Sequence, residues 1–108
     1  MHYKVLFRIE KYELWDKLIA KIRNYMRYCE EMGDTAEIEV VFAGNVVRHF
    51  KDLDNELTQM DLQIALCHNA LSGWGMEDIF HKNITTVRAG IGEIIRRKAE
   101  GWIEYTIE

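Results

Sequence analysis

Short runs of β-branched and apolar residues alternate along this chain with longer stretches whose apolar residues recur every three or four positions, and that alternation limits what it can fold into. Residues 3–9 are Tyr, Val, Leu, Phe and Ile broken only by Lys4 and Arg8, the pattern of a strand buried on both faces. Residues 11–32 place Leu14, Leu18, Ile22, Tyr25, Met26 and Cys29 on one stripe, widened by Trp15 and Ile19. This spacing predicts a long amphipathic helix that ends near Gly33. A second strand over 38–43 runs into Gly44-Asn45, a dipeptide that tolerates the positive φ of a tight turn. Val46, Phe50, Leu53 and Leu57 then predict a second helix ending near Thr58, and residues 62–67 a third strand whose last residue is Cys67. Ser72-Gly73-Trp74-Gly75 interrupts any helix begun by Asn69-Ala70-Leu71, so residues 76–80 form at most a short helical segment. Residues 84–88 predict the fourth strand, and Ile91, Ile94, Ile95 and Ala99 the apolar face of a helix closed by Gly101. Residues 102–107 predict the fifth strand. With no proline in the chain, glycine and Asn/Asp do the punctuating.

Strand and helix in repeated succession build a mainly parallel sheet, because parallel neighbours require crossover connections. The expectation is one α/β domain over residues 1–108: a three-layer α/β/α fold with a mainly parallel five-stranded sheet. A composition of 48% hydrophobic and 30% charged residues, both signs interspersed, excludes disorder driven by low hydrophobicity. Fourteen Lys and Arg against 18 Asp and Glu leave a net charge of −4, so neither nucleic acid nor an anionic membrane surface is an expected partner. No apolar run approaches the roughly 20 residues of a membrane span, and the N-terminus lacks a secretory pattern. A cytoplasmic protein is expected. Two cysteines without a Cys-x-x-Cys pair or a His/Cys cluster make neither a disulfide framework nor a zinc site, so the thiols are expected to be reduced.

In open α/β sheets ligands bind outside the carboxyl ends of the strands, where loops converge. Glu10 and Lys11, Gly44 and Asn45, Cys67, His68 and Asn69, and residues 89–92 are delivered there. Only Cys67 among them is a strong nucleophile, and at a strand-to-helix junction unpaired amides and the helix dipole favour its thiolate. The plainer reading is that Cys67 fills space, as free cysteines often do. Cys29 belongs to the apolar stripe of the first helix and reads as packing. His68 adjoins Cys67, but neighbours on an extended strand point to opposite faces, so adjacency makes no Cys/His pair. His81 is placed to fold back over the strand ends as an acid or base, or else is simply solvated. Cys67, His68 and His81 lack the paired spacing of a metal site, and neither metal nor cofactor is expected. Gly90-Ile91-Gly92 suits close approach of an anion to a helix N-terminus, but the third glycine of the dinucleotide fingerprint is replaced by Ile95 and no Gly-Lys-Ser/Thr occurs. Arg96, Arg97 and Lys98 read as a solvated helix end. Trp74, flanked by Gly73 and Gly75, is expected to cover the Cys67 pocket, enter a subunit contact or plug its own core.

The segments Leu66-Cys67-His68-Asn69-Ala70-Leu71, Met76-Glu77-Asp78-Ile79-Phe80, Val87-Arg88-Ala89-Gly90-Ile91-Gly92-Glu93-Ile94 and Glu100-Gly101-Trp102-Ile103-Glu104-Tyr105 resemble the short, single-domain branch of the DsrE-like family. Ile38-Glu39-Val40-Val41-Phe42-Ala43-Gly44 is similar to the family's second strand, so the likeness spans nearly the whole chain. Ala43 stands where the branch often has His, Ala70 where it often has Thr, and the proline common before strand four is absent. The resemblance implies an α/β/α fold, a homo-oligomer, and kinship with DsrE and TusD sulfur-relay proteins, whose cysteine takes up sulfur as a persulfide and hands it to a partner protein. Carried onto this chain, Cys67 is the sulfur carrier, and His68, Asn69, Gly44, Asn45 and Gly90 are expected around it. The missing His at position 43 leaves the acid/base partner unassigned. The rival expectation is a non-catalytic module or oligomeric scaffold that binds a small anion or nucleotide in the same pocket. A third is a structural subunit whose exposed apolar surface meets a partner protein.

Overall fold

All five β-type runs form strands, and every pairing between them is parallel. In the computed structural model, which describes residues 1–108, the strands are β1 (His2–Ile9), β2 (Thr35–Phe42), β3 (Gln63–Cys67), β4 (Ile84–Val87) and β5 (Ile103–Thr106). Their order across the sheet is β4-β3-β2-β1-β5, with Val5 opposite both Ile38 and Ile103, and Ile64 opposite both Val40 and Ile84. The chain thus begins next to the middle of its sheet, steps outward to β4 and returns to the far edge.

The helices are α1 (Trp15–Met32), α2 (His68–Gly73) and α3 (Gly90–Ala99). One face of the sheet carries Val5, Phe7, Ile9, Ile38, Val40, Phe42, Ile64, Leu66 and Ile84. They pack beneath Leu18, Ile19 and Ile22 of α1 and Leu71 of α2. The other face buries Leu6, Val41 and Ala65 beneath Ile94 of α3, with Trp102 closing the cluster. The result is a three-layer α/β/α fold with one thick outer layer and one that is a single helix. No helix is long and apolar enough to cross a membrane.

Three details depart from the sequence pattern. The first helix begins at Trp15 rather than Lys11, behind a single 3-10 turn at Tyr12–Leu14, and it ends as expected at Gly33, whose φ is 70°. The helix expected over residues 46–58 is a 3-10 stretch, Gly44–Lys51, kinked at Phe50 and followed after five residues by one 3-10 turn at Leu57–Gln59. Short polar side chains are the reason. Asp52 Oδ1 accepts the Asp54 amide at 3.0 Å, and Asn55 Oδ1 accepts the amides of Leu57 and Thr58 at 3.0 and 3.2 Å. These turns satisfy the backbone locally and so compete with helix. As the Ser72–Gly75 segment predicts, the helix begun at Asn69 forms as α2 and is interrupted at Gly73, and residues 76–80 have no helical turn. Of the residues expected as the fifth strand, Trp102 and Ile107 lie just outside β5 and are buried, but Ile103 and Tyr105 within it are not, because β5 is an edge strand that α1 does not reach across.

Candidate functional site

β3 ends at Cys67, whose side chain lies on the α3 face of the sheet, since Leu66 points to the opposite face. The thiol borders a concavity of about 290 Å³ at the carboxyl edge, together with Arg8, Ala43, Asn69, Gly90 and Ile94. Cys67 is 7% exposed, so it forms the floor of this cavity rather than a projecting group. Its sulfur makes no hydrogen bond, and the helix amides expected to converge on it donate none to it. The geometry therefore gives an open, apolar-walled seat for the thiol.

Gly90 determines that seat. A Cβ built on it would lie 3.5 Å from the Cβ of Cys67, 3.4 Å from that of Ala43 and 3.5 Å from Cγ1 of Val41. The first residue of α3 thus rests directly on the ends of β2 and β3. One methyl group would fit in ordinary contact, whereas a branched side chain would occupy the cavity. Gly90→Leu is expected to cost about 1–3 kcal/mol by overpacking and to slow alkylation of Cys67 by iodoacetamide, while Gly90→Ala should alkylate at nearly the wild-type rate. Equal rates in all three proteins would show that the cavity is not the route to the sulfur.

Asn69 enters the cavity from the first turn of α2. Its Oδ1 accepts a 2.8 Å hydrogen bond from Arg88 Nη1, which fixes the side chain and leaves its NH2 group to offer. Cys67, Asn69 and Gly90 are therefore brought together as the sequence predicts. Gly44, Asn45 and His68 are not. Asn45 Oδ1 is turned to the Tyr12 amide at 2.7 Å, and Gly44 lies against the backbone of Glu10. His68 Nδ1 pairs with Asp78 Oδ1 at 2.6 Å, away from the thiol, as the alternation of neighbours on a strand requires. His81 bridges to Ile84, the first residue of β4, and so sits at the opposite edge of the sheet from Cys67. Nor does Trp74 close the cavity or plug a core. Its ring lies 4.9 Å from the Arg48 guanidinium and stays 50% exposed. Arg48 also lies over Tyr12, which stacks on His49, itself stacked on Trp15; this aromatic series draws Trp74 to the α1 side.

A buried charge cluster under α3 escaped the sequence reading. Glu39 and Glu93 are both buried, and Arg97, expected at a solvated helix end, binds both of them. Its Nε lies 3.2 Å from Glu93 Oε2, its Nη2 lies 3.5 Å from Glu39 Oε2, and its guanidinium covers the Trp102 ring at 4.7 Å. Arg96 Nη2 holds the other Glu93 oxygen at 2.7 Å, while Glu39 Oε1 has no partner. Burial pushes Glu39 up to about 8, helped by its hydrogen bond with Glu93 and by the charge there. Burial pushes Glu93 up too, but the hydrogen bond from Glu39 and the pairing with Arg96 and Arg97 hold it below the usual carboxylate range. Near neutral pH one proton is thus shared within the pair. The available signal was Glu39 itself, a carboxylate inside a β-branched run on the α3 side of β2. No three His, Cys, Asp or Glu side chains are grouped so as to hold a metal ion.

No family model matches the sequence, and no curated protein matches it. Among solved structures, the chain is similar to a protein of unknown function, MTH1491 from Methanobacterium thermoautotrophicum, at 29% identity and a TM-score of 0.77. The match covers 96% of this chain and 98% of that one, so it is the three-layer α/β/α fold over nearly its whole length that the two have in common.

Proposed function

We propose that this chain is a DsrE-like sulfur-relay protein in which Cys67 carries sulfane sulfur as a persulfide. The observation that supports the reading is the place of Cys67: the last residue of a central strand, on the floor of a cavity at the sheet's carboxyl edge. The Cys67 thiolate attacks the terminal sulfur of a donor persulfide, forming Cys67–S–SH as the donor thiolate leaves. An acceptor thiolate then attacks that terminal sulfur and Cys67 departs as thiolate, so one sulfur atom moves and no external oxidant is needed. Asn69 NH2 orients the bound sulfur, and Gly90 leaves room for it. Ala43 removes the imidazole that the family often supplies, so proton transfer falls to the donor, the acceptor or water. The reading includes a cytoplasmic setting, a homo-oligomeric state, and sulfur donor and acceptor proteins as partners.

Persulfide labelling after incubation with a sulfane-sulfur donor tests this. Wild-type protein and Cys29→Ser should both be labelled, since Cys29 is packed in α1. Cys67→Ser should lose essentially all label. If Cys67→Ser takes up sulfur as well as wild type, the proposal is wrong.

A second reading rests on α3, whose N-cap Ala89 provides no side-chain cap, leaving the first amides of the helix free at the cavity edge beside Arg8. A small anion or nucleotide phosphate would be bound there without chemistry at sulfur. Slow alkylation of Cys67 combined with a rise in melting temperature on adding phosphate or a nucleotide would favour it.

A further inference from the structure

A groove of about 540 Å³ lies on the α1 face of the sheet, between α1 and the edge strand β5, far from the Cys67 cavity on the other face. Its walls are largely aromatic. Phe7 forms the floor, with Tyr25 at 6.4 Å and Tyr105 at 5.9 Å between ring centroids, both inclined to it. Tyr3 and Tyr28 extend the wall, and Ile103 on β5 completes it. Ile103 is 56% and Tyr105 46% exposed, an unusual cost for apolar side chains on a strand that could have turned charged residues outward.

The polar groups are few and of one kind. Lys21 and Asn24 stand one helical turn apart on the α1 rim. Lys21 has no carboxylate partner; its ammonium lies 5.8 Å from the Tyr105 ring centroid. Asn24 Oδ1 accepts a hydrogen bond from Arg27, so its NH2 is the part left to offer. Glu104 also borders the groove, but its carboxylate is taken by Lys98, Thr106 and Arg8. A concave, ring-lined space bordered by two N–H donors, one of them an ammonium without a carboxylate partner, has the make-up of a small-molecule site.

We propose that this groove binds a flat aromatic monoanion of one or two rings, its acid group held by Lys21 and Asn24 and its rings set among Phe7, Tyr28 and Tyr105. Charge complementarity favours this occupant over a second copy of the chain. A two-fold interface brings one patch against itself, and this patch has no free carboxylate to meet the Lys21 ammonium, since Glu104 is already engaged. The site is independent of the sulfur chemistry at Cys67.

Titration of isotopically labelled protein with 2-naphthoate, followed by NMR, tests the proposal. Saturable shifts confined to the amides around Lys21, Tyr28, Ile103 and Tyr105 are expected. Neutral 2-naphthylmethanol should bind about tenfold more weakly or worse, the size of one lost charge-assisted hydrogen bond. Lys21→Glu should weaken 2-naphthoate by at least a similar factor, and Lys21→Arg should largely retain it. These residues are on the surface, so the variants should fold, and their melting temperatures will confirm that. Shifts that do not saturate, or a cationic naphthyl analogue binding as well as the carboxylate, would overturn the proposal. So would sedimentation showing two copies that bury the groove and exclude 2-naphthoate.

Discussion

Raising the pH from about 6 to about 8.5 is expected to destabilise the wild-type protein by roughly 2–3 kcal/mol, a fall of about 10 °C in melting temperature. The cause is Glu39. Its carboxyl is 3% exposed under α3 and titrates at about 8, against 4.5 for an ordinary glutamic acid. Between those two values the folded state holds a proton that the unfolded chain has lost, so stability falls as pH rises and the contribution is gone once Glu39 ionises in the fold. Glu39→Gln keeps a neutral side chain of the same shape without the titration, and its stability should be nearly level over the same interval. The wild type and Glu39→Gln share every histidine and tyrosine, so the difference between their pH curves isolates this carboxyl. A wild-type curve as flat as that of Glu39→Gln would mean that water reaches Glu39. At pH 7, Arg97→Ala should cost about 1–3 kcal/mol, because it removes the guanidinium that bonds both buried acids while Arg96 stays paired with Glu93. Adding Glu39→Gln to Arg97→Ala should return part of that loss, since one of the two acids is then gone.

Gly44→Ala is expected to cost roughly 2–5 kcal/mol, and Gly33→Ala only about 1–2 kcal/mol. Both glycines have left-handed backbones, with φ of 69° and 70°, so both substitutions meet the same intrinsic penalty. They differ in surroundings. A Cβ on Gly33 meets nothing within 4 Å, whereas one on Gly44 would sit 2.5 Å from the carbonyl oxygen of Glu10. That contact is with backbone, so relief requires the β1 exit loop to move. Arg8 and Glu10 line the Cys67 cavity, and Val46 donates its amide to the same Glu10 carbonyl. Gly44→Ala should therefore also change the rate at which Cys67 is alkylated, while Gly33→Ala should not. Denaturant melts of the two variants measure the first difference and iodoacetamide kinetics the second. Equal destabilisation would show that the loop yields without cost.

Local pattern was sufficient wherever a segment had a continuous apolar surface to bury. The short apolar runs at β1 to β4 and the 3.6-residue stripes of α1 and α3 follow from that need, and the structure moves their ends by only a few residues. The helix expected over 46–58 failed because Asp52, Asn55 and Thr58 supply backbone partners that an apolar spacing count does not see. At the candidate site, Cys67, Asn69 and Gly90 were legible because strand ends and helix starts fix their positions. His68 and Asn45 are also next to strand ends, yet their partners, Asp78 and the Tyr12 amide, lie 10 and 33 residues away in sequence and pull them elsewhere.

By itself, then, the sequence determined the five strands, the helices α1 and α3, the parallel sheet and the delivery of one thiol to its carboxyl edge, all consequences of periodicity and short-range turn chemistry. Only tertiary structure decided the strand order, the carboxyl pair clasped by Arg97, the withdrawal of Trp74 to Arg48 and the aromatic groove beside β5. Each of these depends on which distant side chains meet across packed layers, and the free energy of such meetings belongs to the pair and to its burial rather than to either residue in its own stretch of chain.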